Sequence, residues 1–119
     1  MKDLFKEFGN TPYPQMLRDL PEIDIPIEGI RGWLLQGEDK QVVFFDIDPV
    51  GKMLEHSHCS QWGIMLDGKM KLTIGDETKI YQKGDWYYIP EGIAHSAEFL
   101  TKVFVIDVFD HSNRYQIKK

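Results

Sequence analysis

Short segments rich in apolar and β-branched residues, separated by turn signals, constrain the fold of this chain most. The clearest turn signal is Asp67-Gly68, a pair that suits the positive φ angles of a tight hairpin. Residues 69–74 then alternate strictly between polar and apolar side chains, which is typical of a strand with one buried face. Such segments recur through residues 41–109 at intervals of 6–12 residues. This pattern predicts an all-β domain, folded as a sandwich or a barrel.

The N-terminal region carries different signals. Residues 2–8 place three apolar side chains at helical spacing before Gly9, which predicts a short helix of at most two turns. Residues 10–28 contain four prolines, and proline removes a backbone donor and disfavours helix in the residue before it. We therefore expect an extended arm that lies on the body of the domain or on a partner subunit.

The length of 119 residues predicts a single domain. Its parts are residues 1–28, the helix and arm; residues 29–110, the β domain; and residues 111–119, a polar tail. The net charge of −5 argues against a nucleic-acid partner, which usually meets a basic protein surface. The single cysteine excludes an internal disulfide and a zinc site built from several cysteines.

Two further features bear on where the protein acts. No apolar run approaches the ~18 residues that a membrane-spanning helix needs. The first residues also lack the apolar core of a signal peptide. We therefore expect no membrane partner and a cytoplasmic location.

The histidines are the main candidates for chemistry. In His56-Ser57-His58 the two imidazoles are two residues apart, so in a strand they point the same way and can bind one metal. Gln61 follows and offers an amide oxygen as a further neutral ligand. His95 comes after the turn of residues 90–92, and antiparallel pairing can bring it alongside His56. Taken alone, a histidine pair of this spacing is more often solvated than bound to a metal, and Gln61 alone is more typical of an ordinary polar strand residue.

Both segments resemble the two motifs of the cupin superfamily. The second motif, G-x5-P-x-G-x2-H, is matched at Gly84, Pro90, Gly92 and His95. The first, G-x5-H-x-H-x3,4-E-x6-G, is matched at Gly51, His56, His58, Gln61 and Gly68. Three departures affect the first motif: one residue is missing before His56, the loop after His58 is short, and Gln61 stands where glutamate is usual. In the second motif, Phe99 replaces the final asparagine.

The resemblance covers residues 40–109 and implies a single antiparallel β-barrel of the jelly-roll type. It also implies one divalent transition metal, and the ligands carried over by position are His56, His58, Gln61 and His95. Zn, Ni, Fe and Mn all suit three imidazoles and an amide oxygen. A thiolate ligand from Cys59 is an alternative, although neighbouring strand residues face opposite sides.

The last strand places Val105, Asp107 and Phe109 on one face. If that face is internal, a carboxylate lies beside the metal; otherwise Asp107 faces solvent or the barrel rim. The Asp-x-Phe pair resembles the branch of small cupins that includes the pectin-degradation protein of uronate catabolism. This resemblance implies that Asp107 is catalytic and that Phe109 binds substrate.

Three other residues are candidates for contacts with the substrate. Arg31 precedes the barrel strands and could meet a substrate carboxylate, although a solvated arginine is common at such positions. Trp33 and Tyr88 could line a pocket together with the other aromatic residues. Aromatic residues in this pattern are also typical of a core or of a dimer surface.

The resemblance implies a metal-dependent cupin that acts on a small sugar acid. The expected reaction opens a cyclic 4,5-unsaturated or deoxy uronate to its linear keto form, with Asp107 moving a proton. A metal-dependent dioxygenase and a non-catalytic cupin that binds a small molecule are the alternatives, because the fold supports all three. We also expect a homodimer, from the exposed sheet edge and the dimers common in similar cupins.

Overall fold

Nine β-strands and one turn of helix make up the described part of the chain, which comprises residues 10–49 and 51–119 of the computed structural model. The helix predicted for residues 2–8 lies outside the described residues. The elements are α1 (Gln15–Arg18), β1 (Ile30–Gln36), β2 (Gln41–Ile47), β3 (Gly51–His56), β4 (Gln61–Asp67), β5 (Lys69–Ile74), β6 (Glu77–Gln82), β7 (Trp86–Ile89), β8 (His95–Phe99) and β9 (Val103–Phe109).

The strands form two antiparallel sheets that enclose the core. The five-stranded sheet has the order β1-β2-β9-β4-β7, and the four-stranded sheet has the order β3-β8-β5-β6. Inward side chains of both sheets make one hydrophobic cluster, which includes Val43, Phe45, Met65, Met70, Leu72, Phe99 and Val105. The predicted all-β jelly-roll fold is confirmed. Its sheets remain separate layers rather than a closed barrel, because no ladder joins them among the described strands.

The turn at Asp67-Gly68 does not form the hairpin that the sequence predicts. The strands on its two sides belong to different sheets: β4 pairs with β7 and β9, whereas β5 pairs with β6 and β8. The prediction of a hairpin is therefore wrong, and this turn carries the chain from one sheet to the other. Glycine is required there, because Gly68 has a φ of +92° and a Cβ would collide with the carbonyl oxygen of Lys102.

The N-terminal arm packs on its own chain. Tyr13 is buried, and its hydroxyl donates to the carbonyl oxygen of Phe45 at 2.7 Å. Ile23 is also buried and forms an isolated bridge with Ile117. The prediction of a wholly extended arm is wrong at α1, where one helical turn follows Pro14. A proline with a φ of −67° suits the start of a helix, because its missing N–H has no helical acceptor there.

The C-terminal tail is also attached to the domain. The buried side chain of Gln41 donates to the carbonyl oxygen of Tyr115 at 3.0 Å and accepts from the amide of Tyr115 at 2.9 Å. The Lys118 amide donates to the carbonyl oxygen of Glu22. These bonds hold the tail beside the cavity between the sheets. Within the described residues, no helix has the length and hydrophobicity of a membrane span.

Candidate metal centre

The two histidine segments meet through strand pairing. His56 ends β3 and His95 begins β8, and the two are direct partners in the antiparallel register. Their ring centroids lie 4.2 Å apart. The turn before His95 is tied to the other segment, because the Gly92 amide donates to the carbonyl oxygen of His58 at 3.0 Å. The side-chain nitrogens of His56, His58 and His95 therefore come within 4.8 Å of one another.

Backbone hydrogen bonds orient two of the three rings. Nδ1 of His58 lies 2.7 Å from the carbonyl oxygen of Cys59, and Nδ1 of His95 lies 3.0 Å from that of Ile93. A carbonyl oxygen only accepts, so each Nδ1 carries the proton and each Nε2 keeps a lone pair. This is the usual outer-shell arrangement of a metal-binding histidine.

The distance between the two Nε2 atoms tests whether a metal fits. The Nε2 atoms of His58 and His95 are 3.1 Å apart, although both carry lone pairs and repel each other. Two nitrogens bound to one metal at ~2.0–2.1 Å lie ~2.8–3.4 Å apart for octahedral to tetrahedral angles. Burial lowers the pKa of His58 to about 4 and also lowers that of His95, so both rings are neutral near pH 7. The cluster fits a divalent transition metal.

Gln61 and Asp107 lie in the same cavity as the imidazoles. Gln61 begins β4, directly opposite Phe109 of β9, and its side chain is 9% exposed. Asp107 is buried, and burial raises its pKa to about 6, although Tyr87 and Gln61 act to lower it.

Tyr87 holds the buried carboxyl group of Asp107. Its hydroxyl donates to Oδ1 of Asp107 at 2.5 Å. Gly63 lies opposite both residues in the register of β4, and a Cβ there would collide with the Asp107 carboxylate and the Tyr87 ring. A glycine at this position therefore makes room for the tyrosine–carboxylate pair.

Sequence comparison then identifies the family. The Cupin_2 family, described as the cupin domain, matches residues 43–109, which is more than half of the chain. The chain belongs to the cupin domain family. The resemblance seen in the two motifs is confirmed, and the matched segment contains the whole histidine cluster together with Gln61 and Asp107.

Solved structures share the fold of this cupin at low sequence identity. An RmlC-like cupin from Shewanella frigidimarina NCIMB 400 superposes with a TM-score of 0.70 and 23% identity, over 79% of this chain and 86% of that one. KdgF from Halomonas sp. gives a TM-score of 0.68 and 23% identity, over 77% and 86%. Oxalate decarboxylase from Bacillus subtilis gives a TM-score of 0.69 and 23% identity, over 81% of this chain and 28% of that one.

A curated relative matches only a short segment. Mannose-1-phosphate guanylyltransferase 2 from Escherichia coli O157:H7 is 44% identical over 43 residues, which are 36% of this chain and 9% of that protein. The cupin thus corresponds to less than a tenth of this relative's length, and the likeness adds nothing about the activity.

The structure does not bring three of the predicted substrate contacts to the cavity. Arg31 points outward from β1 and pairs with Asp46 at 3.1 Å. Trp33 also points outward and packs edge-on against a tyrosine of the arm. Tyr88 is 53% exposed on β7. All three occupy the outward positions of their strands, away from the residues that line this cavity, so their contact with substrate stays a prediction.

Phe109 lies where the resemblance implies, buried in the cavity with its ring centroid 5.7 Å from that of His58. Cys59 does not join the cluster, because its Sγ lies beside Nδ1 of His58, away from Nε2. Burial also raises the pKa of the Cys59 thiol. The alternative of a thiolate ligand is therefore not supported by the geometry.

Sequence reasoning missed two residues of the tail. The Arg114 guanidinium lies 4.3 Å from the centroid of the Tyr115 ring and 5.8 Å from that of Phe109. Its charge contributes to the lowered pKa of His58 and His95. Among the described residues, Arg114 Nε is buried and has no hydrogen-bond partner. No local sequence pattern predicts the position of Arg114, because that position depends on the hydrogen bonds between Gln41 and Tyr115.

Replacing His58 tests the assignment of the ligands. We expect His58→Ala to lose most of its bound metal, because two imidazoles bind more weakly than three. It should also lose the metal-dependent rise in melting temperature, since a ligand of the folded state stabilises by ~2.7 kcal/mol at a hundredfold excess over its Kd. Metal analysis and thermal unfolding with and without chelator measure both effects.

His111→Ala is the matched control, because His111 is exposed in the tail and lies outside the cluster. It should keep both the metal and the shift in melting temperature. Unchanged metal content in His58→Ala would show that the ligands are assigned wrongly.

Proposed function

We propose that this cupin is a metal-dependent isomerase that opens a cyclic 4,5-unsaturated or deoxy uronate to its linear keto form. The observation that carries the proposal is the buried Asp107, held by Tyr87 in the same cavity as three convergent imidazoles. A carboxyl group in an apolar cavity is costly, and a role in proton transfer accounts for its presence. Two further observations support the proposal: the fold is shared with KdgF, and the Asp-x-Phe of the last strand resembles the branch of small cupins that includes the pectin-degradation protein.

The proposed metal ligands are His56, His58, Gln61 and His95. A divalent cation held by these neutral ligands supplies a Lewis acid that polarises hydroxyl or carboxylate oxygens of the substrate. Zn, Ni, Fe and Mn remain the candidates, because each suits nitrogen and oxygen ligands.

Ring opening needs one proton to move. For the unsaturated uronate, the anomeric hydroxyl loses its proton, the bond between C1 and the ring oxygen breaks, and C4 of the double bond gains a proton. The product is an isomer, so no oxidant, reductant or second substrate is consumed. Asp107 can accept the first proton and deliver the second, and Tyr87 keeps the carboxyl group oriented by its bond to Oδ1.

Arg114 and Phe109 supply the contacts that position the substrate. Arg114 lies against Tyr115 and Phe109, two residues that line the cavity, and its Nε is buried without a partner in the described part of the chain. A guanidinium pairs well with a carboxylate. The Arg114 guanidinium lies 4.3 Å from the centroid of the Tyr115 ring and 5.8 Å from that of the Phe109 ring. Phe109 adds an apolar wall beside His58. This arrangement replaces Arg31 as the proposed partner of the substrate carboxylate.

Replacing Asp107 tests the proton transfer. We expect Asp107→Asn to keep the fold and the metal, because asparagine has nearly the same shape. Its kcat should fall by ~10²–10⁴, because asparagine can neither take nor give the proton. The assay follows the cyclic form by NMR on unsaturated monouronates released by pectin and alginate lyases, with and without oxygen.

Asp110→Asn is the control for the loss of a negative charge near the end of β9, because Asp110 is exposed and pairs with Lys40. Full activity in Asp107→Asn would reject Asp107 as the proton carrier. No turnover of any of these uronates by the metal-loaded protein would contradict the isomerase proposal, and oxygen-dependent consumption would instead support the dioxygenase alternative.

Replacing Arg114 tests substrate positioning. We expect Arg114→Gln to raise KM by ~10–100-fold with a smaller change in kcat, because a charged hydrogen bond contributes ~1.5–3 kcal/mol. Arg31→Gln, which removes the outward arginine, should leave KM unchanged. Equal effects of the two substitutions on KM would contradict the role given to Arg114.

A further inference from the structure

The cavity that holds the histidine cluster is too small for a sugar acid. Its volume is about 60 Å³. A water molecule needs ~10–15 Å³ of such a cavity, so there is room for a metal ion and roughly three water-sized groups. A cavity of ~150 Å³ accepts benzene, and a monouronate has about twice as many non-hydrogen atoms as benzene. A substrate of the proposed size therefore enters only if part of the cavity wall moves.

Tyr115 is the residue of the C-terminal tail that lines the cavity. Its ring packs edge-on against Phe45 and Phe109, with ring centroids 6.0 Å and 5.4 Å away. Tyr115 is half-buried, whereas Phe45 and Phe109 are buried. The Tyr115 ring therefore lies on the solvent side of these two rings, where it closes part of the cavity.

A second space lies next to the same tyrosine. Tyr115 also lines a groove of about 330 Å³ between the arm and the tail, which we call the tail groove. Its other walls include Leu20, Leu34, Leu35 and Ile117. The tail groove is larger than the ~150 Å³ cavity that accepts benzene, so it has room for a phenol ring. Its apolar side chains also suit an aromatic ring.

The backbone around Tyr115 is fixed. The buried side chain of Gln41 binds both the amide and the carbonyl oxygen of Tyr115. The carbonyl oxygen of the next residue, Gln116, accepts from the Asp24 amide at 2.8 Å. Rotation about the side-chain bonds of Tyr115 moves the ring between staggered positions without breaking these backbone bonds. The ring can therefore leave the cavity while the tail stays attached to the domain.

We propose that Tyr115 is a gate that selects by size which ligands reach the histidine cluster. In the closed position of this structure, the ring limits the cavity to anions of a few non-hydrogen atoms. Rotation of the ring into the tail groove opens the cavity to a monouronate. The identity of this larger ligand rests on the proposed function, whereas the gate itself follows from the cavity, the tail groove and the fixed backbone.

Two anions of different size test the gate: formate, which fits the closed cavity, and D-galacturonate, which does not. Broadening of their own ¹H NMR signals gives the rate at which each associates with the protein, with and without added Zn²⁺. Tyr115→Ala should raise the association rate of galacturonate by ~10-fold or more, because the ring no longer limits entry, and leave that of formate about unchanged. Tyr115→Phe keeps the ring and should behave like the wild-type protein.

Filling the tail groove separates a moving gate from a fixed wall. Leu35 lines the tail groove and not the cavity, and a tryptophan there takes up the space that the ring needs. Leu35→Trp should slow the association of galacturonate by ~10-fold and leave that of formate about unchanged. Ile117→Trp is a second variant of the same groove, in case the first fails to fold.

Trp86→Ala is the matched control for the loss of a large aromatic side chain. Trp86 is 62% exposed on β7 and lines neither the cavity nor the tail groove. Both association rates should equal those of the wild-type protein. Thermal unfolding of every variant checks that the fold is kept.

Two results would overturn the proposal. One is galacturonate that associates no faster with Tyr115→Ala than with the wild-type protein, or that binds neither. The other is an unchanged galacturonate rate in both Leu35→Trp and Ile117→Trp, which would make Tyr115 a fixed wall. Faster association with Tyr115→Ala, together with no turnover of any unsaturated uronate by the wild-type protein, would support the gate and contradict the isomerase proposal alone.

Discussion

Strand β9 pairs with β2 on one side and with β4 on the other, and the rest of the molecule depends on this central position. Its inward residues, Val105, Asp107 and Phe109, bring a carboxylate and an aromatic ring to the imidazole cluster. Its outward residues, Ile106 and Val108, belong to an apolar face. A shift of one residue in this register would exchange the two sets and remove the carboxylate from the cavity.

The electrostatics of the cavity differ from those of the whole chain. The chain carries −5, yet the cavity is lined by the imidazoles of His56, His58 and His95 and by the amide of Gln61, and burial lowers the pKa of His58 and His95. Asp107 brings a carboxylate into this cavity, and the hydroxyl of Tyr87 donates a hydrogen bond to it. A divalent cation in such a site keeps most of its charge, which favours an anionic small molecule. Overall acidity therefore argues against a nucleic-acid partner without excluding an anionic substrate.

Much of the inner site could be predicted from the sequence, because it follows from local spacing. His56 and His58 are two residues apart, Gln61 and His95 stand at motif positions, and Asp107 and Phe109 alternate in one strand. All six lie together in the cavity. Alternation along a strand shows which residues share a face. It shows which face is buried only where the opposite face is polar.

Other parts could not be predicted because they depend on contacts distant in sequence. Arg31, Trp33 and Tyr88 come from strands with outward apolar neighbours, so alternation did not show that they face away from the cavity. Tyr115, which lines the cavity and packs against the Arg114 guanidinium, is held by the side chain of Gln41, 74 residues away. The turn at residues 67–68 joins two different sheets, because β5 pairs with β6 and β8 and not with β4. The residues of the turn do not determine which strands β5 pairs with.

X-ray absorption at the metal edge tests the central claim most directly, namely that three imidazoles and an amide oxygen surround one metal. Protein loaded with Zn²⁺ should show only nitrogen and oxygen neighbours at ~2.0–2.2 Å, with the multiple-scattering pattern of three imidazole rings. A sulfur neighbour at ~2.3 Å would place Cys59 in the site and contradict the account. Fewer than three imidazoles around the metal would contradict it equally.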